Sequence, residues 1–170
     1  MALEKNASLL NGSRETVETD VPFESPQGVS PKAIGGMNRY VYDLYRQGRL
    51  DDAEILFRYL FIYDFRNADY AMGFATVCYL QKNYLKAIDL YALAFDVSKN
   101  DYRPLLYAAQ CQLMRGEAAL ARRCLRSIIE CSEDERLKEM AESFLQKVNE
   151  IDRGQKQHAF EEIMVGLHHR

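Results

Sequence analysis

The chain has 170 residues, with 22 Lys and Arg against 25 Asp and Glu and a formal net charge of -3. This length supports a hydrophobic core without a disulfide or metal staple, and the acidic balance argues against binding to nucleic acid through phosphate contacts. No apolar run is long enough to cross a membrane, and the N-terminus lacks the pattern of a secretion signal. We therefore expect a cytosolic protein that binds neither nucleic acid nor a membrane directly.

The first 29 residues are mostly polar, and the segment ESPQGVSP contains two prolines and a glycine. This composition predicts an N-terminal arm, residues 1–29, that is poorly ordered on its own. Ser30 followed by Pro31 is a helix start signal, because serine caps free amides and proline tolerates the first helical position. We expect one ordered domain over residues 30–151 and a C-terminal tail over residues 152–170.

Apolar periodicity and turn residues then predict six helices, at residues 31–46, 50–63, 68–81, 84–97, 102–114 and 118–131. Gly48 and Gly116 mark two of the turns, and the pair Lys82–Asn83 replaces the glycine in the middle turn, where Asn tolerates the left-handed conformation better than most residues. A seventh helix is expected over residues 135–151, with one apolar face and one polar face. The tail has two possible interpretations, a short docking helix or a frayed end. The docking helix would use the apolar residues Phe160, Ile163, Met164 and Leu167.

A repeat organises these helices. The segment QGRLDDAEILFRYLFIYD recurs after 34 residues as QKNYLKAIDLYALAFDVS and after another 34 as RGEAALARRCLRSIIECS. This period, with a small or β-branched residue at a fixed place in each helix, is typical of tetratricopeptide repeats. The sequence predicts an all-α fold, a right-handed superhelix of three tandem repeats with a C-terminal capping helix. The equivalent positions are Val41, Ala75 and Ala109; Ala53, Ala87 and Ala121; Phe57, Tyr91 and Leu125; and Leu60, Ala94 and Ile128.

No catalytic constellation and no metal site is found in the sequence. Nucleophilic catalysis by cysteine and zinc binding both need a histidine close to the cysteines. The histidines, however, lie in the tail, away from the cysteines. The cysteines form no CxxC pair and are interpreted as reduced core residues. We expect a protein that is not an enzyme and needs no cofactor. The residues concerned are His158, His168 and His169, and Cys78, Cys111, Cys124 and Cys131.

A basic cluster lies in the third repeat. It contains Arg115, Arg122, Arg123 and Arg126, with glutamates interspersed. A solvated helix face is the first interpretation. The alternative is a surface for an acidic partner, as a general tetratricopeptide adaptor would need to bind a folded regulatory protein.

The first helix of each repeat is expected to line a concave groove, where residues three and four apart share a face. The predicted lining is aromatic and aliphatic with a few amides, which suits an extended apolar peptide, particularly one with proline. Each tyrosine taken alone is equally consistent with a core residue whose hydroxyl reaches solvent. The predicted groove residues are Asn38, Tyr42, Tyr45, Met72, Thr76, Tyr79, Leu106, Gln110 and Leu113.

Two motifs go beyond a generic repeat, IYDFRNADYAMG (Ile62 to Gly73) and NDYRP (Asn100 to Pro104). With them, residues 31–151 closely resemble the class II chaperones of bacterial type III secretion systems, which hold pore-forming translocators in the cytosol before export. The resemblance implies three repeats, no enzymatic activity and a groove for an N-terminal translocator segment of Pro-x-Leu-x-x-Pro type. It also implies a weak homodimer through the N-terminal helical region and, in some members, co-activation of an AraC-type transcription regulator.

Overall fold

The computed structural model describes residues 31–152 of the chain, and the side chains of residues 34–150. The chain divides into two compact units after Lys99. The limits of the single domain over residues 30–151 stay a prediction. Outside the described residues lie the N-terminal arm, the three histidines and the tail positions Phe160, Ile163, Met164 and Leu167.

Within residues 31–152 the secondary structure is entirely helical. The first unit contains α1 (Pro31–Arg46), α2 (Leu50–Tyr63), α3 (Ala68–Leu80) and α4 (Tyr84–Ser98), and the second contains α5 (Arg103–Met114), α6 (Ala118–Cys131) and α7 (Glu135–Asp152). Each predicted helix is present, with ends within one residue of those predicted. The all-α prediction is confirmed.

In the first unit, each helix packs against the next one along the chain. The small positions of the repeat, such as Ala53 and Ala75, are completely buried, and so is Val41 on α1. Phe57 and Tyr91, the bulky positions four residues after the small ones on α2 and α4, are 1% exposed. The repeat positions predicted from the sequence therefore form the core of this unit.

The second unit is built in the same way. α5 packs against α6, and α6 packs against α7. Helix α7 buries Leu137, Ala141, Phe144 and Val148, which follow helical spacing along one face. This helix therefore covers the third repeat with an apolar face, as predicted for the capping helix.

The turns inside the three repeats share one backbone geometry. Gly48, Lys82 and Gly116 occupy equivalent positions and have positive φ angles of 72°, 63° and 79°. After each of them, the next amide donates to a carbonyl five residues earlier, as Asn83 N does to Cys78 O at 2.8 Å, which is the hydrogen bond of a Schellman helix end. The expectation that Asn83 is the left-handed residue is wrong, because Asn83 has φ -84° and its side chain instead caps α4 by accepting from Lys86 N.

Replacing Lys82 with glycine is expected to raise the free energy of unfolding by about 0.5–1 kcal/mol. The left-handed conformation costs a residue with a Cβ about 1–2 kcal/mol in the folded state, and glycine removes this cost. The greater freedom of glycine in the unfolded chain offsets part of the resulting gain in stability. Urea denaturation measures the change. Lys82→Ala is the matched control, since it removes the exposed side chain but keeps the Cβ, and it should leave stability nearly unchanged. Equal effects of the two substitutions would contradict the backbone explanation.

Candidate functional site

A cavity of about 210 Å³ lies in the first unit, where α1, α2 and α3 meet. Four of the predicted groove residues come together in it, two tyrosines from α1 and two residues from α3. Its walls are mostly apolar, so it is suited to an apolar group. The lining residues are Tyr42, Tyr45, Phe57, Asp69, Met72, Gly73 and Thr76.

The ring of Phe57 connects the three helices at this cavity. Tyr42 meets it edge to face, with ring centroids 5.6 Å apart and an interplanar angle of 90°. On the other side, a Cβ added to Gly73 would overlap with the Cε1 and Cζ atoms of Phe57. A glycine is therefore needed at this position of α3 so that its backbone can lie directly on the ring.

Thr76 connects the cavity to α4. Its hydroxyl donates to the carbonyl oxygen of Met72 at 2.8 Å, and its Oγ1 lies 3.2 Å from the hydroxyl of Tyr91. Because the hydrogen of Thr76 is directed at Met72, Tyr91 is the donor in the second contact. Thr76 thus holds α3 and α4 together as well as lining the cavity.

Negative charge lies at the edge of the cavity, at the start of α3. Asn67 caps this helix, since its Oδ1 accepts from Asp69 N at 3.0 Å and from Tyr70 N at 3.4 Å. The Asp69 side chain is exposed and lies in the first helical turn, where the helix dipole favours a carboxylate. Burial raises the pKa of Tyr42, and the charge of Asp69 raises it further.

The other predicted groove residues lie elsewhere. Asn38 is half-buried one turn before Tyr42, and its Oδ1 has no hydrogen-bond partner among the described residues. Tyr79 is only 8% exposed, and its ring centroid lies 5.8 Å from that of Tyr84. Leu106, Gln110 and Leu113, in the second unit, are buried and offer little surface to a ligand.

Three lining residues were absent from the sequence prediction, Phe57, Asp69 and Gly73. Phe57 had been identified only as a repeat packing position. Gly73 had a usable signal, because a glycine in a helix interior costs stability and often marks close packing. Asp69 follows the cap residue Asn67, a local pattern that predicts a helix start but no binding role.

The basic cluster of the third repeat is partly used inside the second unit. Arg122 Nε donates to Asn149 Oδ1 at 3.0 Å, and Arg115 pairs with Glu117 at 2.9 Å. Arg123 and Arg126 are exposed. These contacts favour the interpretation of a solvated helix face with internal pairs.

The cysteines are free thiols and three of them are buried. Burial raises the pKa of Cys78 to about 11 and that of Cys124 to about 12, so both stay protonated at neutral pH. The expectation of a core residue is wrong for Cys131, which is exposed at the last position of α6.

Over residues 31–152, no group of three His, Cys, Asp or Glu side chains is placed to hold a metal ion. The helices in this part of the chain are too short or too polar to cross a membrane.

Comparison with known proteins agrees with this architecture. A tetratricopeptide repeat model matches residues 40–67 and 68–101, which confirms the predicted repeat. The chain is similar to the translocator chaperone SycD of Yersinia enterocolitica, with a TM-score of 0.67 and 20% identity over 78% of this chain and 99% of SycD. It is also similar to PcrH in complex with the chaperone-binding region of PopD, with a TM-score of 0.66 and 23% identity over 74% of this chain and 97% of PcrH.

A relative with higher identity is the chaperone protein SicA of Salmonella typhimurium. It is 45% identical over 132 residues, which cover 78% of this chain and 80% of SicA. This identity extends over both compact units and, with the repeats and the solved folds, confirms the resemblance seen in the sequence. The chain belongs to the class II chaperones of type III secretion translocators.

Proposed function

We propose that this chain is a bacterial cytoplasmic chaperone that holds an extended N-terminal segment of a translocator and protects it from premature association or degradation before export. The cavity between α1, α2 and α3 carries this proposal, because it gives an apolar side chain a preformed place. PcrH in complex with a region of PopD supports a client of the same kind. Chaperones of this family bind their clients without converting them, so the chain is not an enzyme.

The size of the cavity indicates what part of the client it takes. At about 210 Å³ it is smaller than the roughly 300–1,000 Å³ of pockets that enclose a whole small molecule. It therefore suits one anchor residue of a longer segment, such as the leucine of a Pro-x-Leu-x-x-Pro sequence. The rings of Tyr42 and Tyr45 beside it suit the prolines, whose preordered backbone loses little entropy on binding.

Calorimetric titration with a Pro-x-Leu-x-x-Pro peptide tests this function. Saturable binding is expected, and it should be lost for a peptide whose three anchors are alanine. Tyr42→Ala is expected to weaken binding by about tenfold, as aromatic anchor residues do, while circular dichroism shows unchanged helicity. Tyr40→Ala, an equal change at an exposed position of α1 that does not line the cavity, is the control. If several such peptides fail to bind, a general tetratricopeptide adaptor for a folded regulatory partner becomes the better explanation.

A weak homodimer is part of the same proposal and is supported by the outer face of α2. Ile55, Tyr59 and Ile62 follow helical spacing there, and their side chains are 55%, 37% and 47% exposed. Exposed apolar faces of this kind favour association. Sedimentation velocity over a concentration series tests it, and a monomer at every concentration would argue against it. Binding of an AraC-type regulator stays a proposal that rests on the family resemblance alone.

A further inference from the structure

Asp69 is a carboxylate at the cavity for which the described residues provide no ion pair. Two other acidic side chains of the first unit are paired, since Glu54 meets Lys86 and Asp52 meets Arg49, each at 2.6 Å. Asp69 lines the cavity, and its hydrogen bond to the cap residue uses the backbone amide, which donates to Asn67 Oδ1. A charge at the edge of an apolar cavity is therefore available to a bound molecule.

The charge of Asp69 reaches the wall of the cavity. Asp69 lies among the lining residues, and after the larger effect of burial its charge raises the pKa of Tyr42, which lines the same cavity from α1. A positive group brought to this edge of the cavity would therefore be favoured.

This inference rests on the proposed function and concerns which client segments are preferred. We propose that Asp69 selects segments that carry a lysine or arginine beside the apolar residue in the cavity. Because the carboxylate is exposed, the pair contributes modestly, about two- to fivefold in affinity, and it weakens with added salt. Segments with an acidic residue at the same place are disfavoured by like charge.

Three peptides test this selection. They share one Pro-x-Leu-x-x-Pro core and carry Lys, Gln or Glu beside the leucine. Fluorescence anisotropy at low salt should show the Lys peptide binding about threefold tighter than the Gln peptide, and the Glu peptide more weakly than both. In Asp69→Asn the three affinities should become equal. Asp69→Lys should reverse the order.

Glu139→Gln is the matched control, because it removes the same charge from an exposed position of α7 that does not line the cavity. It should keep the preference for the Lys peptide. If the Gln peptide binds but the Lys peptide binds no better, or if Asp69→Asn keeps the preference, the inference is overturned and the proposed function stands. If none of the three peptides binds, the proposed function itself fails.

Discussion

Replacing Phe57 with alanine is expected to lower the free energy of unfolding by about 3–5 kcal/mol, the range found when a buried aromatic side chain is deleted from a core. Phe57 is 1% exposed, packs edge to face on Tyr42 of α1 and lies against the backbone of α3 at Gly73. Its loss therefore removes contacts of α2 with both neighbouring helices. Urea denaturation followed by circular dichroism measures the change.

Two controls separate this effect from a general loss of an aromatic ring on α2. Tyr59→Ala removes a ring two residues further along the same helix, at a position 37% exposed, and should cost less than about 1 kcal/mol. Phe57→Leu keeps an apolar side chain of similar size and should cost only about 1–1.5 kcal/mol. If Phe57→Ala and Tyr59→Ala cost the same, Phe57 is not the residue that connects α1, α2 and α3.

The helices and the repeat core were predictable because they depend on local and periodic signals. The positions of Ala53, Phe57 and Leu60 recur in register in all three repeats with small or apolar residues, and each of these positions is buried in every copy. The turn at Lys82 shows the limit of such signals. The sequence placed the left-handed conformation in the pair Lys82–Asn83, but the 34-residue offset from Gly48, rather than the preference of Asn, decides which residue adopts it.

The candidate site was predictable only in part. Spacing by three and four places residues on one face of a helix, and for Tyr42, Met72 and Thr76 that face meets the cavity. The same spacing on α5 selected residues such as Leu106, which is buried. Periodicity identifies a face but does not tell which neighbour covers it. The contact of Gly73 with Phe57 likewise joins two helices and has no counterpart in local sequence.

Because of the contact between Gly73 and Phe57, replacing Gly73 with alanine is expected to lower the free energy of unfolding by about 1–3 kcal/mol. Helix propensity alone predicts the opposite, since alanine is favoured over glycine inside a helix by about 0.5–1 kcal/mol. The added Cβ, however, would overlap with the ring of Phe57, which is buried and has little room to move. Moving the ring would also change the cavity that Phe57 lines with Tyr42, so peptide affinity should fall with stability.

Gly36→Ala supplies the control for propensity, because nothing lies within 4 Å of a Cβ at that position of α1, and it should stabilise the protein by about 0.5–1 kcal/mol. A double-mutant cycle then tests the cause of the loss at Gly73. In the Phe57→Ala background the ring is gone, so Gly73→Ala should become neutral or stabilising, as at Gly36. If Gly73→Ala costs as much without the ring as with it, the ring is not the obstacle and another neighbour of α3 must require the glycine.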